Sequence, residues 1–341
     1  MPLNMIVRGI VSAALCCLFG LSAAAQEVNI YSSRHYQTDE RLYRDFEEAT
    51  GIAINRLEGN GDALITRIVQ EGRNSPADIL ITVDAGRLWR AEQAGLFAAV
   101  KSAELARRIP ANLRHPEGLW FGFSTRARLI FVNREMADSE AIARYEDLAD
   151  PRWRGQICVR SSSNVYNLSL LASMIAHHGV EAAEDWAAGV VANFARKPQG
   201  GDTDQLRAAA AGECAIAIAN SYYFARLMES GEPEDEAVVA ALTPVFPNQG
   251  GRGAHINVSG AGMLEHAPHP EAARRFLAYL ASESAQRYFA RGNNEYPAVE
   301  GLLENETLLE LGRFKADDLN VALLGKHQPE AQRIFDRVGW P

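Results

Sequence analysis

The stretch Cys214-Ala-Ile-Ala-Ile-Ala-Asn-Ser-Tyr-Tyr-Phe224 joins a short apolar run to two adjacent phenols. The apolar run is typical of a buried strand, and the residues from Phe224 onward have a helical pattern. Neighbouring side chains diverge on a strand or a helix, so Tyr222 and Tyr223 can approach one point only at an irregular position such as a strand-to-helix turn. Open α/β sheets bind ligands at such turns. The alternative is that one tyrosine packs in the core and the other lies on the surface.

Two further predicted strand-to-helix junctions carry phenols. His35 and Tyr36 lie between a predicted strand over 27–31 and a predicted helix over 39–50. Tyr166 lies in the first turn of a helix that follows Ser161-Ser-Ser-Asn164. Four of the ten tyrosines therefore lie at the same kind of turn.

Strands and helices alternate along the chain, which predicts an α/β fold with a largely parallel sheet covered on both faces. Besides those at the junctions, strands are predicted over 51–57, 77–83 and 156–160, and helices over 62–71, 86–94, 202–211 and from 270 onward. A longer strand over 120–133 places Arg126 and Arg128 on one side. Strands of this length can carry a chain from one lobe to another, and 256–263 is a plausible second crossing.

Residues 1–25 have the features of a secretory signal peptide. Arg8 precedes an apolar stretch that is short for a bilayer span, and Ala23-Ala-Ala25 is a cleavage signal, so the mature chain is expected to begin at Gln26. The alternative is an uncleaved membrane anchor. Without Arg8 the chain has 33 basic and 43 acidic residues, a net charge of −10. This acidic balance argues against nucleic-acid binding, and no later stretch is apolar enough for a membrane span.

The mature chain of about 315 residues is too long for one ordinary core and suggests two lobes. Its two remaining cysteines, Cys158 and Cys214, can form one disulfide in an oxidising compartment. The alternative is two separate buried thiols.

The junction residues favour a metal. Hard oxygen donors suit hard ions, so phenolates with an imidazole point to iron in its ferric state, Fe(3+), rather than to zinc or cuprous copper. Four phenolates around a trivalent ion leave a net charge of −1, which Arg126 or Arg128 can offset. The alternative for the arginines is an ordinary surface or structural role.

The same residues leave two rival functions to compare with iron binding. A solute-binding protein for a small organic cation, such as a polyamine or a thiamine-like amine, would also use aromatic residues, although an imidazole beside a phenol suits a metal better. An enzyme is disfavoured because the sequence lacks a G-x-S-x-G elbow, an H-E-x-x-H helix and a phosphate-binding glycine loop.

The sequence resembles the periplasmic iron-binding proteins of ABC-type ferric iron transporters, the transferrin-like proteins of bacteria. The similarity extends over nearly all of the mature chain. It is carried by Tyr-Ser-Ser-Arg-His-Tyr at 31–36, Pro-Ala-Asp-Ile-Leu-Ile-Thr-Val-Asp-Ala-Gly-Arg-Leu at 76–88, Arg-Ala-Arg at 126–128, Arg-Ser-Ser-Ser-Asn-Val-Tyr-Asn at 160–167 and Ile-Ala-Asn-Ser-Tyr-Tyr at 218–223.

The resemblance is strongest to the branch that binds iron through one histidine and several tyrosines without a synergistic anion. It implies the metal ligands His35, Tyr36, Tyr166, Tyr222 and Tyr223. It also implies a two-lobed type 2 periplasmic-binding-protein fold, with a metal cleft between lobes that close by a hinge motion. The expected partners are an inner-membrane ABC permease and its ATPase, and the expected state is a periplasmic monomer.

The expected lobe boundaries follow from the two crossings. Lobe 1 is expected to comprise 26–126 and about 258–310, and lobe 2 to comprise 127–257 and about 311–341.

Overall fold

The protein alternates strands and helices over most of its length. The computed structural model describes residues 26–34 and 38–341, so the predicted signal peptide and the residues His35 and Tyr36 lie outside the described residues. Within the described ranges the strands are β1 (Glu27–Ser32), β2 (Ala53–Glu58), β3 (Ile79–Val83), β4 (Phe121–Asn133), β5 (Ile157–Cys158), β6 (Ile216–Asn220), β7 (Leu242–Val245), β8 (Ile256–Met263) and β9 (Tyr296–Pro297).

The α-helices of the same ranges occur along the whole described chain. They are α1 (Asp39–Thr50), α2 (Gly61–Glu71), α3 (Ala85–Gln93), α4 (Ala103–Arg108), α5 (Val165–His178), α6 (Val180–Ala192), α7 (Asp202–Ala210), α8 (Ser221–Glu229), α9 (Pro233–Ala241), α10 (Pro270–Leu280), α11 (Glu283–Asn293), α12 (Glu306–Leu311) and α13 (Ala322–Val338). In the described part of the chain, none of them is long and apolar enough to cross a membrane.

Local sequence signals located the elements well. The helix predicted over 39–50 is confirmed at both ends, and Gly51 follows it with a φ of 69°. That left-handed conformation ends the helix and suits glycine because a side chain there would be strained.

Strand β4 changes partners halfway along its length. Residues 121–127 pair with β8, whereas residues 128–132 pair with β6. The sheet has the order β2-β1-β3-β8-β4-β6-β5, and β7 and β9 also pair with β4. The long strand predicted from the sequence therefore joins two halves of the sheet.

The prediction of a largely parallel sheet is wrong for its centre. β1 is parallel to β2 and β3, and β5 is parallel to β6. By contrast, β8 is antiparallel to β3 and β4, and β4 is antiparallel to β6. The chain enters β8 from the other half of the sheet. It does not arrive through the strand–helix–strand crossover that makes neighbouring strands parallel, so β8 runs antiparallel to its neighbours.

Side chains of β4 alternate between two hydrophobic clusters. Leu129 and Phe131 belong to a large cluster that includes the residues around β1, β3 and β8. Ile130 and Val132 belong to a second cluster, formed mainly with α5, α6 and the end of α13. This period of two is the pattern from which Arg126 and Arg128 were predicted to share one side of the strand.

Cys158 and Cys214 form a disulfide beside the parallel pair β5 and β6, with their Cα atoms 5.9 Å apart. The crosslink closes a loop with a sequence separation of 56 residues. In the chain-entropy treatment, a loop of this length stabilises the folded state by about 4 kcal/mol because it restricts the unfolded chain.

Reduction of this disulfide is therefore expected to lower the free energy of unfolding by about 4 kcal/mol. Urea denaturation with and without a reductant measures the change. The Cys158→Ser/Cys214→Ser double variant is the control, since the reductant should leave its unfolding midpoint unchanged. Equal midpoints for the oxidised and reduced natural protein would contradict the prediction.

Candidate metal centre

Tyr166 is placed by the start of helix α5. The side chain of Asn164 accepts a hydrogen bond from the Tyr166 backbone N–H at 3.1 Å and so caps the helix. The Asn167 side chain donates to the backbone oxygens of Arg160 and Ser161 at 2.9 and 3.2 Å. These bonds fix the loop before the helix and, with it, the direction of the phenol.

Tyr222 and Tyr223 lie in the first turn of α8, immediately after β6. Their ring centroids are 4.3 Å apart and the ring planes differ by 30°. Tyr222 is only 2% exposed, and Tyr223 is half-buried. The strand-to-helix turn thus brings the two adjacent rings together, as the sequence predicted.

Two of the three junctions converge. The hydroxyl oxygens of Tyr166 and Tyr222 are 3.3 Å apart, although 56 residues separate them in the chain. Burial raises the pKa of Tyr166 to about 12, the neighbouring Tyr223 adds to the rise, and Arg126 opposes it. Tyr166 is therefore protonated at neutral pH unless a cation replaces its proton.

Several guanidinium groups surround these phenols. The Cζ atoms of Arg126, Arg128 and Arg160 lie 6.0, 5.8 and 5.6 Å from the centroid of the Tyr166 ring. That of Arg226 lies 4.9 Å from the Tyr222 centroid. The sequence pointed to the first two arginines but missed Arg160 and Arg226. Arg226 follows Tyr222 by four residues on a helix, which is a signal that could have found it.

Arg126 and Arg128 are 2% and 1% exposed, so neither is an ordinary surface residue. Arg128 is neutralised locally, because its Nη1 lies 2.6 Å from an Asp202 oxygen and it also donates to the side-chain oxygens of Asn220 and Asn167. Arg126 donates to Ser259 Oγ at 2.8 Å and lies 3.8 Å from a Glu295 oxygen.

Arg126 retains hydrogen-bonding capacity. Its Nε and Nη2 atoms are buried and contact no acceptor within the described ranges. Burial alone would lower the pKa of Arg126, but Glu295 and the phenols of Tyr166 and Tyr222 outweigh burial and raise it. Arg126 is thus the better placed of the two predicted arginines to offset charge on the phenols.

Helix α5 is also held against the first half of the sheet. One turn after Tyr166, Ser169 Oγ donates to the two carboxylate oxygens of Asp84 at 2.8 and 2.9 Å. Asp84 follows β3 directly and also accepts from the side chains of Asn257 and Gln328, at 2.8 and 3.2 Å. This buried carboxylate fixes the Tyr166 helix relative to β3 and β8.

The remaining two predicted ligands, His35 and Tyr36, fall outside the described residues. In the part of the chain that is described, no group of three or more histidine, cysteine, aspartate or glutamate side chains is arranged to hold a metal ion. Within those ranges, Tyr166, Tyr222 and Tyr223 are the ligands that the sequence predicted.

A sheet in two halves, with polar groups converging at strand ends, is the architecture of a solute-binding protein. The chain belongs to the family of bacterial extracellular solute-binding proteins, whose model matches residues 74–316. Iron uptake protein A2 of Synechocystis sp. is a relative, 54% identical over 321 residues that cover 94% of this chain and 91% of the relative.

Solved structures give the same result. FutA of Trichodesmium, in complex with iron and citrate ligands, is 53% identical with a TM-score of 0.90, covering 92% of this chain and 100% of that one. A ferric binding protein from Campylobacter jejuni is 40% identical with a TM-score of 0.87, again covering 92% and 100%. The predicted fold class and the resemblance to ferric iron-binding proteins are confirmed.

Proteins named for the rival ligand, thiamine, are less similar to this chain. The thiamine-binding periplasmic protein of Escherichia coli is 24% identical over 243 residues, which cover 70% of this chain and 69% of that protein. The similarity therefore favours iron over a thiamine-like amine.

Proposed function

We propose that this protein captures ferric iron through tyrosinate and histidine ligands and delivers it to an inner-membrane ABC transporter. The observation that carries the proposal is the 3.3 Å approach of the Tyr166 and Tyr222 hydroxyls in a partly buried setting. Two phenols at this distance supply hard oxygen donors to one ion, and a trivalent ion can replace their protons. The similarity to iron-binding relatives over more than nine-tenths of the chain supports it.

The proposed ligand set is His35, Tyr36, Tyr166, Tyr222 and Tyr223. Four phenolates around a trivalent ion leave one excess negative charge, which would be costly in a buried site. The guanidinium groups near the two described junctions would offset this charge, with Arg126 in the most suitable position and Arg128 next to it.

The same positive surroundings disfavour an organic cation. A monovalent amine between the phenols would lie near four guanidinium groups, of which Arg128 and Arg160 are paired with Asp202, and it would not deprotonate the phenols to compensate the remaining positive charge. Ferric iron would convert the phenols to anions and so reverse the local charge balance.

The proposed lobes comprise 26–126 with about 258–310, and 127–257 with about 311–341. The change of partners within β4 supports this division. Iron would bind in the cleft between the lobes, and a hinge motion at the crossing strands would bury it.

The proposal also includes the location, the partners and the oligomeric state of the protein. Export through a cleavable signal peptide over 1–25 would place the protein in the periplasm as a monomer, with the permease and its ATPase as partners. Its action would be binding and delivery without catalysis, in keeping with relatives named for iron uptake and iron binding.

The test is a visible absorption titration of the mature protein with ferric iron. Iron is supplied once as its nitrilotriacetate complex and once as its citrate complex, because the Trichodesmium relative was solved with citrate. A phenolate-to-iron charge-transfer band that saturates at one iron per chain in both titrations, and shifts in Tyr222→Phe, is expected. A band that requires citrate would refute anion independence, and no band with iron left on the chelator would refute iron binding.

A further inference from the structure

Three consecutive polar residues, Asn293, Asn294 and Glu295, end helix α11 and are 1%, 3% and 1% exposed. Asn294 has a φ of 56°, a left-handed conformation that asparagine tolerates better than most residues. The chain reverses there, so the three successive side chains point in different directions. We call residues 293–295 the α11 turn.

The first contacts of the α11 turn are with described residues on either side of 35–37. Ahead of the segment, Arg34 Nη1 lies 2.8 Å from a Glu295 oxygen. After it, Thr38 Oγ1 donates to Asn293 Oδ1 at 2.6 Å, and Asn293 Nδ2 donates to Asp39 at 2.8 Å. Arg34 and Asp39 are themselves paired at 3.0 Å, which closes the ring of contacts.

The second set of contacts leads to the arginine beside the phenols. Glu295 accepts from Ser124 Oγ at 2.7 Å and from Ser259 Oγ at 3.1 Å, and Ser259 accepts from Arg126. Burial would raise the pKa of Glu295, but Arg34 and Arg126 lower it below its ordinary value. Glu295 is therefore an anion between two buried guanidinium groups, and it holds Arg126 in place directly and through Ser259.

The third contact reaches the helix that carries the tyrosine pair. Asn294 Nδ2 donates to Glu229 at 2.8 Å, and Glu229 is the last residue of α8. Asn294 is itself held by Asn305, whose Nδ2 donates to the Asn294 side chain at 2.8 Å. The contact joins the proposed lobe 1 to the proposed lobe 2.

We propose that the α11 turn is a positioning element of the iron site, which sets the distances between Arg34 and Thr38, Arg126 and helix α8. The turn thereby connects the described residues on either side of 35–37, and the helix of the tyrosine pair, with the cation that compensates the charge of the phenols. This inference rests on the proposed iron-binding function and assigns a role to residues that do not themselves bind the ion. Groups that orient metal ligands from outside affect affinity by about 10- to 100-fold when they are replaced.

The test compares Glu295→Gln with Asp78→Asn. Both substitutions remove a buried carboxylate charge with little change in shape, but Asp78 bonds to Asn29 and His269, away from the phenols. Glu295→Gln is expected to shift the phenolate-to-iron band and to release iron to excess chelator about 10- to 100-fold faster. Asp78→Asn is expected to lower the melting temperature while leaving the band position and the release rate unchanged.

A second variant tests the contacts of the Asn294 side chain. Asn294→Gly keeps the left-handed backbone accessible but removes the bonds to Glu229 and Asn305, and faster iron release is expected. It also tests the proposal if Glu295→Gln fails to fold. Unchanged band and release rate in every folded variant of the turn, or equal changes in Asp78→Asn, would overturn the inference. A natural protein without any band would instead count against iron binding itself.

Discussion

Replacing Tyr166 and Tyr222 together by phenylalanine is expected to weaken ferric iron binding by far more than about 100-fold, the upper range for groups outside the ligand set. The substitutions remove the two hydroxyl oxygens that lie 3.3 Å apart and leave the rings in place. The ion would lose two anionic donors, while the surrounding arginines would remain and would now repel it. Competition with a chelator of known ferric affinity measures the loss.

Two other tyrosines provide a matched control. Tyr31 donates its hydroxyl hydrogen to Glu71 at 2.9 Å, and Tyr279 donates to the backbone oxygen of Leu42 at 3.0 Å. The Tyr31→Phe/Tyr279→Phe variant also removes two phenol oxygens, but these oxygens make hydrogen bonds elsewhere in the fold. It should bind iron as the natural protein does. A site double variant that keeps its affinity within tenfold of this control would rule out Tyr166 and Tyr222 as ligands.

The convergence of the phenols was predictable because it depends on local structure. Strand-to-helix turns can be recognised from short patterns, and such turns collect at one edge of a sheet. Tyr166 and the pair Tyr222–Tyr223 could thus be grouped before any geometry was known. The predicted roles of His35 and Tyr36 fall outside the described residues and stay predictions.

The charges around the phenols were harder to predict because they depend on contacts between distant segments. Nothing in the sequence distinguishes Arg126 from Arg128, yet Arg128 is neutralised by Asp202, 74 residues further along the chain. Glu295 likewise meets Arg34 across a separation of 261 residues. No periodic pattern records such pairings, and for the same reason the direction of β8 in the sheet was missed.

Iron affinity is expected to rise with pH, by about tenfold per pH unit for each phenolate formed, across the range from pH 5 to pH 8. The direction of this pH dependence follows from the protonation state of the metal-free site. Burial raises the pKa of Tyr166 to about 12, so its proton is present throughout this range and must leave when the phenolate binds iron. Lowering the pH therefore favours the metal-free protein.

Counting protons separates this effect from the hydrolysis of iron itself. Iron is added at fixed pH to weakly buffered protein, an indicator dye reports the protons released, and the same addition without protein gives the contribution of the chelated iron. Tyr222→Phe should release one proton fewer per iron bound, whereas Tyr31→Phe should match the natural protein. If both variants release as many protons as the natural protein, Tyr222 does not bind iron as a phenolate. The ordinary pKa of about 10 for a free phenol makes this difference observable at neutral pH.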